Sequence, residues 1–153
     1  MRPLRDVLQV LRVIAAGRDF ALEVAVVQGI ERPSRWARLP GAPAYVRGVA
    51  EARDQAVTVV DLAARLQLLA AASSAEGDVV LIESDEPVGL AVERVVGVEE
   101  VDPAGLVRPE GAAAAGLRGC TREGLLLLDA EALVDGRALH PLAGLPLPAA
   151  ARP

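Results

Sequence analysis

The apolar residues of this chain come in short Val- and Leu-rich runs, broken by Gly, Pro, Asp and Glu. That rhythm constrains the fold more than any other feature, because it describes many short strands rather than a bundle of long helices. The longest unbroken runs, such as Leu68–Ala72 and Leu125–Leu128, fall far short of the roughly 18 residues a membrane helix requires, so no span and no direct membrane insertion is expected. The N-terminal stretch MRPLRDVLQVLRV is interrupted by charges and does not resemble a secretory signal, which points to a cytoplasmic protein.

Strand by strand, Val7–Ala15 reads as a first strand, with Ala16-Gly17-Arg18-Asp19 turning the chain into a second over Phe20–Gln28. Residues 31–43 hold Pro33, Pro40 and Pro43 and read as a connecting loop, since proline cannot donate to a ladder. Tyr45–Ala50 and Gln55–Val60 follow as strands around the polar turn Glu51-Ala52-Arg53-Asp54. Asp61 is placed to cap a helix over Leu62–Ala72, with Leu62, Leu66 and Leu69 on one face. Asp78–Ser84 and Val88–Glu93 form a hairpin around an acidic turn, and Val95–Val101 extends the sheet. Asp102-Pro103 opens one helical turn, and residues 109–116 read as a loop. Leu117–Thr121 and Gly124–Leu128 make a last hairpin, and Asp129 caps a short helix ending at Gly136.

The fold class is therefore all-β with minor helix, and helices this few cannot cover a parallel sheet. Closed or nearly closed barrels follow, and 153 residues suffice for two small ones sharing an interface. The domain is expected over residues 1–139. Residues 140–153, with four prolines, are expected to form a disordered tail.

Chemistry-bearing residues are scarce. His140 is the only histidine and lies in the proline-rich tail; Cys120 is the only cysteine and sits in an apolar setting that suits a core residue better than a nucleophile. A Ser/His/Asp or Cys/His mechanism would depend on that tail histidine, one cysteine cannot build a multi-cysteine zinc site or a disulfide, and no phosphate-binding glycine loop is present. No catalysis, no metal and no cofactor is expected. Net charge is −5, all sixteen basic residues are arginine and only 2% of residues are aromatic, so nucleic acid is not an expected partner.

What remains is a binding module, and the residue order identifies one. Phe20-Ala21-Leu22-Glu23-Val24, Val27-Gln28-Gly29-Ile30, the run Leu39-Pro40-Gly41-Ala42-Pro43-Ala44-Tyr45-Val46-Arg47-Gly48-Val49, and Val57-Thr58-Val59-Val60-Asp61-Leu62 together resemble the CheW-like domain family. Gly89–Val95, Leu106-Val107-Arg108-Pro109 and Gly124–Asp129 continue the resemblance to about residue 135. It implies two five-stranded SH3-like barrels packed around an apolar seam. It also implies an adaptor that joins the cytoplasmic tips of chemoreceptors to the CheA histidine kinase or to another CheW-like protein.

On that resemblance Val27, Gly48, Val49 and Arg53 are the receptor-binding candidates, and Glu51, Ala52, Asp54 and Thr58 mark the kinase-binding region. The sequence departs from the family pattern at this very region. Gly48-Val49-Ala50-Glu51-Ala52-Arg53-Asp54 stands where the family usually reads Gly-Val-x-Asn-Leu-Arg-Gly, so the turn glycine is replaced by Asp54. Gly29 stands where the family commonly has a glutamate facing the arginine equivalent to Arg53, so Arg53 is expected to be exposed or to find another partner, Glu51 or Asp54 among them. Thr58 replaces a frequent proline and restores an N–H that either extends pairing or leaves a new edge. These departures imply an adaptor with kinase binding weakened or lost, of the divergent kind found in Frz-type motility pathways. The alternatives are an array-capping or inhibitory CheW-like domain and, from a different class, a small enzyme or ligand-binding barrel.

Overall fold

A computed structural model of the chain describes residues 7–68, 77–108 and 116–135. Eleven strands form two sheets. The strands are β1 (Leu8–Ala15), β2 (Arg18–Glu23), β3 (Val27–Glu31), β4 (Trp36–Ala37), β5 (Val46–Ala52), β6 (Gln55–Asp61), β7 (Asp78–Ile82), β8 (Val88–Val92), β9 (Arg94–Val101), β10 (Leu117–Cys120) and β11 (Leu126–Leu128). The first sheet runs β10-β11-β2-β1-β9 and the second β3-β7-β8-β6-β5-β4. Neighbours are antiparallel except β11 with β2 and β6 with β8.

Apolar burial explains why both sheets curl. In β1, Leu11, Val13 and Ala15 point one way and Val10 the other, and all are buried. All five residues of β7 and all five of β8 are buried, so these central strands are covered on both faces and read as continuous apolar runs. Three clusters result. The largest lies between the sheets and draws Leu11, Val13, Phe20, Leu22 and Leu128 from the first and Val60, Val80, Ile82, Val88 and Leu90 from the second. The first sheet encloses a small cluster of Val10, Ala21, Leu125 and Leu127. The second encloses Ala50, Ala52, Val57, Val59, Val79, Leu81 and Ala91, with Trp36 packed against them. Two curled units around one shared seam are the architecture that the sequence implies.

Several local readings require correction. The apolar run Phe20–Gln28 is not one strand: β2 stops at Glu23, a 3-10 turn over Val24–Val26 carries the chain across the seam, and β3 starts at Val27. No proline or glycine marks the switch, because Val24 and Val26 stay packed against the shared core. The proline-rich connection contains the two-residue strand β4, paired with β5 at Ala50 and Val49. The expected helix over Leu62–Ala72 spans only Leu62–Arg65, here α1. Gln67 takes a left-handed φ of 58°, with Leu68 N–H donating to Ala63 O and Gln67 N–H to Ala64 O. That pair of bonds is a Schellman stop, with glutamine in the position glycine usually fills. Leu69, the 109–115 loop, His140 and the rest of the tail lie outside the described residues.

The aspartate caps are found as expected. Asp61 accepts from Ala64 N–H, Asp102 from Ala104 N–H, and Asp129 from Ala132 N–H at the start of α2 (Ala130–Val134). Asp61 does more, because its second oxygen accepts from Arg47 at 2.9 Å and both side chains are mostly buried. Arg47 in turn lies 5.7 Å from the centre of the Trp36 ring, so one carboxylate anchors β5, β6 and α1 together. In the first sheet Arg12 bridges Asp19 at 2.5 Å and Glu99 at 3.2 Å; the Asp19 hydrogen bond first, and then Glu99, push its pKa further up. Among the described residues no buried side-chain nitrogen or oxygen lacks a partner.

Replacing Asp61 by alanine removes a cap and strands a largely buried guanidinium, so D61A is expected to lower stability by about 2–4 kcal/mol in urea unfolding. D61N keeps an oxygen for the cap and should lose about half as much. A shift below about 0.5 kcal/mol for D61A would contradict this role.

Candidate partner-binding surface

Ala52 pairs directly with Gln55, so the β5–β6 connection is a two-residue turn of Arg53 and Asp54 rather than a four-residue loop. Both take left-handed backbone, with φ of 51° and 61°, the geometry of a type I′ hairpin. Neither is glycine, so each carries part of the roughly 1–2 kcal/mol that a Cβ costs in this region. The missing turn glycine therefore leaves the hairpin in place but strained.

Arg53 gains a second function from this position. Its Nε donates to Glu31 Oε1 at 2.9 Å and its Nη1 to Gln28 O at 3.0 Å. The guanidinium lies across Gly29, where an added Cβ would sit 2.0 Å from Nη2. The absent glutamate is thus replaced by Glu31, two residues along the same strand and on the same face, not by Glu51 or Asp54. Glycine at 29 is what makes room for the exchange. Since β3 and the β5–β6 hairpin lie towards opposite ends of the strand order, Arg53 also holds the second sheet in its curl.

The other candidate residues fall in two places. Val27 is half-buried on β3, opposite Ile82. Gly48 and Val49 are on β5 beside β4; a Cβ at Gly48, whose φ is 146°, would meet Ala37 O at 2.3 Å. Of the kinase-region residues, Glu51 and Asp54 are exposed, whereas Ala52 is buried in the core of the second sheet. Thr58 donates its N–H to Pro87 O and lies on a strand paired on both sides, so it extends the ladder and creates no edge.

The structure adds a surface that the sequence reading passed over. Asp78, at the start of β7, accepts from Arg32 Nε at 2.7 Å through one oxygen and from Val95 N–H at 2.8 Å through the other. It thereby ties the end of β3 to the start of β9, the outer strands of the two sheets. Within two residues of this staple Ile30 is 43% exposed and Val96 47%, and Val98 further along β9 is 61% exposed. Exposed branched apolar side chains along two adjoining strand edges are uncommon on a surface with no partner. The alternation in Arg94–Val101, a valine on the outward face at 96 and 98, was the signal available in the sequence.

Among the described residues no helix is long and apolar enough to cross a membrane, and no cluster of His, Cys, Asp and Glu suits a metal ion. The profile of the CheW-like domain matches residues 9–138. The chain belongs to the CheW-like domain family. A similar solved structure is the scaffolding protein TtCheW from Thermoanaerobacter tengcongensis, at 17% identity with a TM-score of 0.74 over 86% of this chain and 94% of that one. Comparison with curated proteins returned no match. The likeness extends to the two-sheet, mostly strand fold, and the CheW-like family is one of non-enzymatic scaffolds.

The strained turn and the Gly29 exchange give one linked expectation for stability. D54G should raise stability by about 0.5–1 kcal/mol in thermal or urea unfolding. G29A should displace the half-exposed Arg53 and lower stability by about 0.5–1 kcal/mol, and it should add almost nothing on top of R53A. Additive losses from G29A and R53A would contradict the contact.

Proposed function

We propose that the protein is a chemosensory adaptor that grips the helical cytoplasmic tip of a chemoreceptor along the joined edges of β3 and β9, without catalysing any reaction. The observation that carries this reading is the Asp78 staple, which brings Ile30, Val96 and Val98 to one exposed junction of the two sheets. A helix packs against such a face through a few apolar anchors, with a charged group fixing its orientation. Val27 lies on the same strand as Ile30, and the Arg53–Glu31 pair supplies the oriented charge. Gly48 and Val49 support the face indirectly, by letting β4 approach β5 and complete the second sheet.

The kinase half of the family's role is weakened in this chain. The region that the family uses for it carries two exposed carboxylates, Glu51 on β5 and Asp54 on the strained turn. Unfavourable charge at an interface rim discriminates against partners as effectively as lost contacts do.

A receptor cytoplasmic-tip fragment should bind the purified protein at roughly tens of micromolar, about −6 to −7 kcal/mol. Ile30→Glu and Val98→Glu, both at exposed positions, should each weaken that binding at least about tenfold, or 1.4 kcal/mol, with the far-UV spectrum unchanged. The pair E51N/D54G should strengthen binding to a CheA regulatory domain and leave receptor binding alone; Ala52 is kept, because a leucine there would overpack a small core. Receptor binding that survives both glutamates, or is absent in the parent chain, would overturn the assignment.

A further inference from the structure

Arg12, Arg32, Arg47, Arg53 and Arg118 each hold a carboxylate. Around one concavity the carboxylates have no such partner. It is a groove of about 850 Å³ between the β7–β8 turn and α2. Val26, Ile82 and Val134 contribute its apolar lining, and Asp129 and Asp135 stand in it beside Glu83, Asp85, Glu86 and Glu131. Those last four are exposed, and none has a side-chain hydrogen bond or ion pair among the described residues. The described lining holds no cation. Arg65, which reaches α2, donates to Leu133 O and lies 5.0 Å from the centre of the Tyr45 ring, so its charge is committed outside the groove.

The occupant that fits is set by where the chain goes next. α2 ends at Val134, Asp135 lies in the lining, and residues 136–153 continue from there. That stretch carries Arg137, His140 and Arg152 and neither aspartate nor glutamate, and it sets Leu139, Leu142, Leu145 and Leu147 among four prolines. A cationic, leucine-bearing segment is thus tethered at the rim of an anionic, partly apolar concavity. The other stretches outside the described residues match less well. Residues 69–76 and 109–115 each hold a glutamate and no cation, and residues 1–6 set an aspartate against two arginines and lead into β1 of the first sheet. Tethering raises the effective concentration of the tail to the order of millimolar, so a contact too weak to join separate molecules forms within one. Proline lowers the entropy that such a segment loses when it is seated.

We infer that the chain folds back on itself after α2 and seats residues 137–142 in this groove, Arg137 among the unpaired carboxylates and Leu139 and Leu142 over Val26, Ile82 and Val134. Charge complementarity selects the segment, and burial of the two leucines holds it. The disorder expected of the tail is then confined to the residues beyond Leu142. The inference does not depend on the receptor reading, whose surface is the β3–β9 junction.

The experiment is NMR on the full chain, with His140, the only histidine, reporting on the tail and the methyl groups of Val26, Ile82 and Val134 reporting on the groove. At about 50 mM salt the backbone order parameters of residues 137–142 should stand above about 0.6, and the His140 ring should give Overhauser contacts to the groove methyls. At roughly 500 mM salt, where exposed charges are screened, the order parameters should fall below about 0.6 and the contacts should vanish. R137E and E83Q/E86Q should each have the same effect at low salt. A peptide of residues 136–147 added to R137E at about millimolar concentration should shift the groove methyls again. The salt titration uses the unmodified chain, so a variant that fails to fold does not remove the test. Tail order parameters below about 0.6 at low salt, ordering indifferent to salt, or a peptide that shifts no groove methyl would each overturn the inference. So would ordering that rises with protein concentration, which puts the tail in a neighbouring copy, or contacts to the groove methyls from residues 1–6 instead.

Discussion

The apolar seam between the two sheets is the interaction on which everything else in this molecule rests. Neither sheet owns a core that could sustain it: the first encloses four buried apolar residues and the second seven, mostly alanine and valine. The larger cluster takes Phe20 and Leu22 from one sheet and Val60, Val80 and Leu90 from the other, each almost wholly buried. Small units with so little interior of their own are marginal, so the shared layer supplies the burial that makes a single cooperative domain. It also explains the chain path, since the β2-to-β3 crossing at Val24–Val26 keeps its valines in that layer while the backbone changes sheet.

The proposed function follows from where the seam ends. At its margin the outer strands β3 and β9 come together, held by the two oxygens of Asp78, and their outward valines and isoleucine stand about half exposed. The same strand, β3, receives Arg53 from the strained hairpin, so the geometry of the exposed edge and the closure of the second sheet are coupled through one guanidinium. The proposed partner face and the fold are therefore not separable parts. Changes at Gly29 and Glu31 act on both.

Much of this was legible in the residues. Strand positions followed from the short apolar runs, and all three aspartate caps from their place before helical turns, because those signals are local. The need for Arg53 to find a new partner was also visible, once Gly29 was seen in place of an acid. What was not visible was which acid: Glu31 reaches Arg53 only because β3 and the hairpin tip meet across the closure of a sheet, a contact 22 residues apart in the chain. The helix after Asp61 looked long because leucines continue at helical spacing, yet a left-handed Gln67 stops it, and glutamine gives no warning of that. The staple at Asp78 was hidden for the same reason as Glu31. It joins residues from three strands' ends, and nothing in the order of residues marks them as neighbours.

The central claim, that the two sheets stand on one core, is tested most directly by native-state hydrogen exchange on Leu128→Ala. Leu128 belongs to the first sheet and is buried in the seam, so the truncation should remove about 2–4 kcal/mol of stability. On this account the amides of Val80 and Leu90, in the second sheet, lose protection by the same amount as those of β1 and β2. Loss confined to the first sheet, with β7 and β8 as protected as before, would mean that the two units are stable independently and that the seam is only a contact between them.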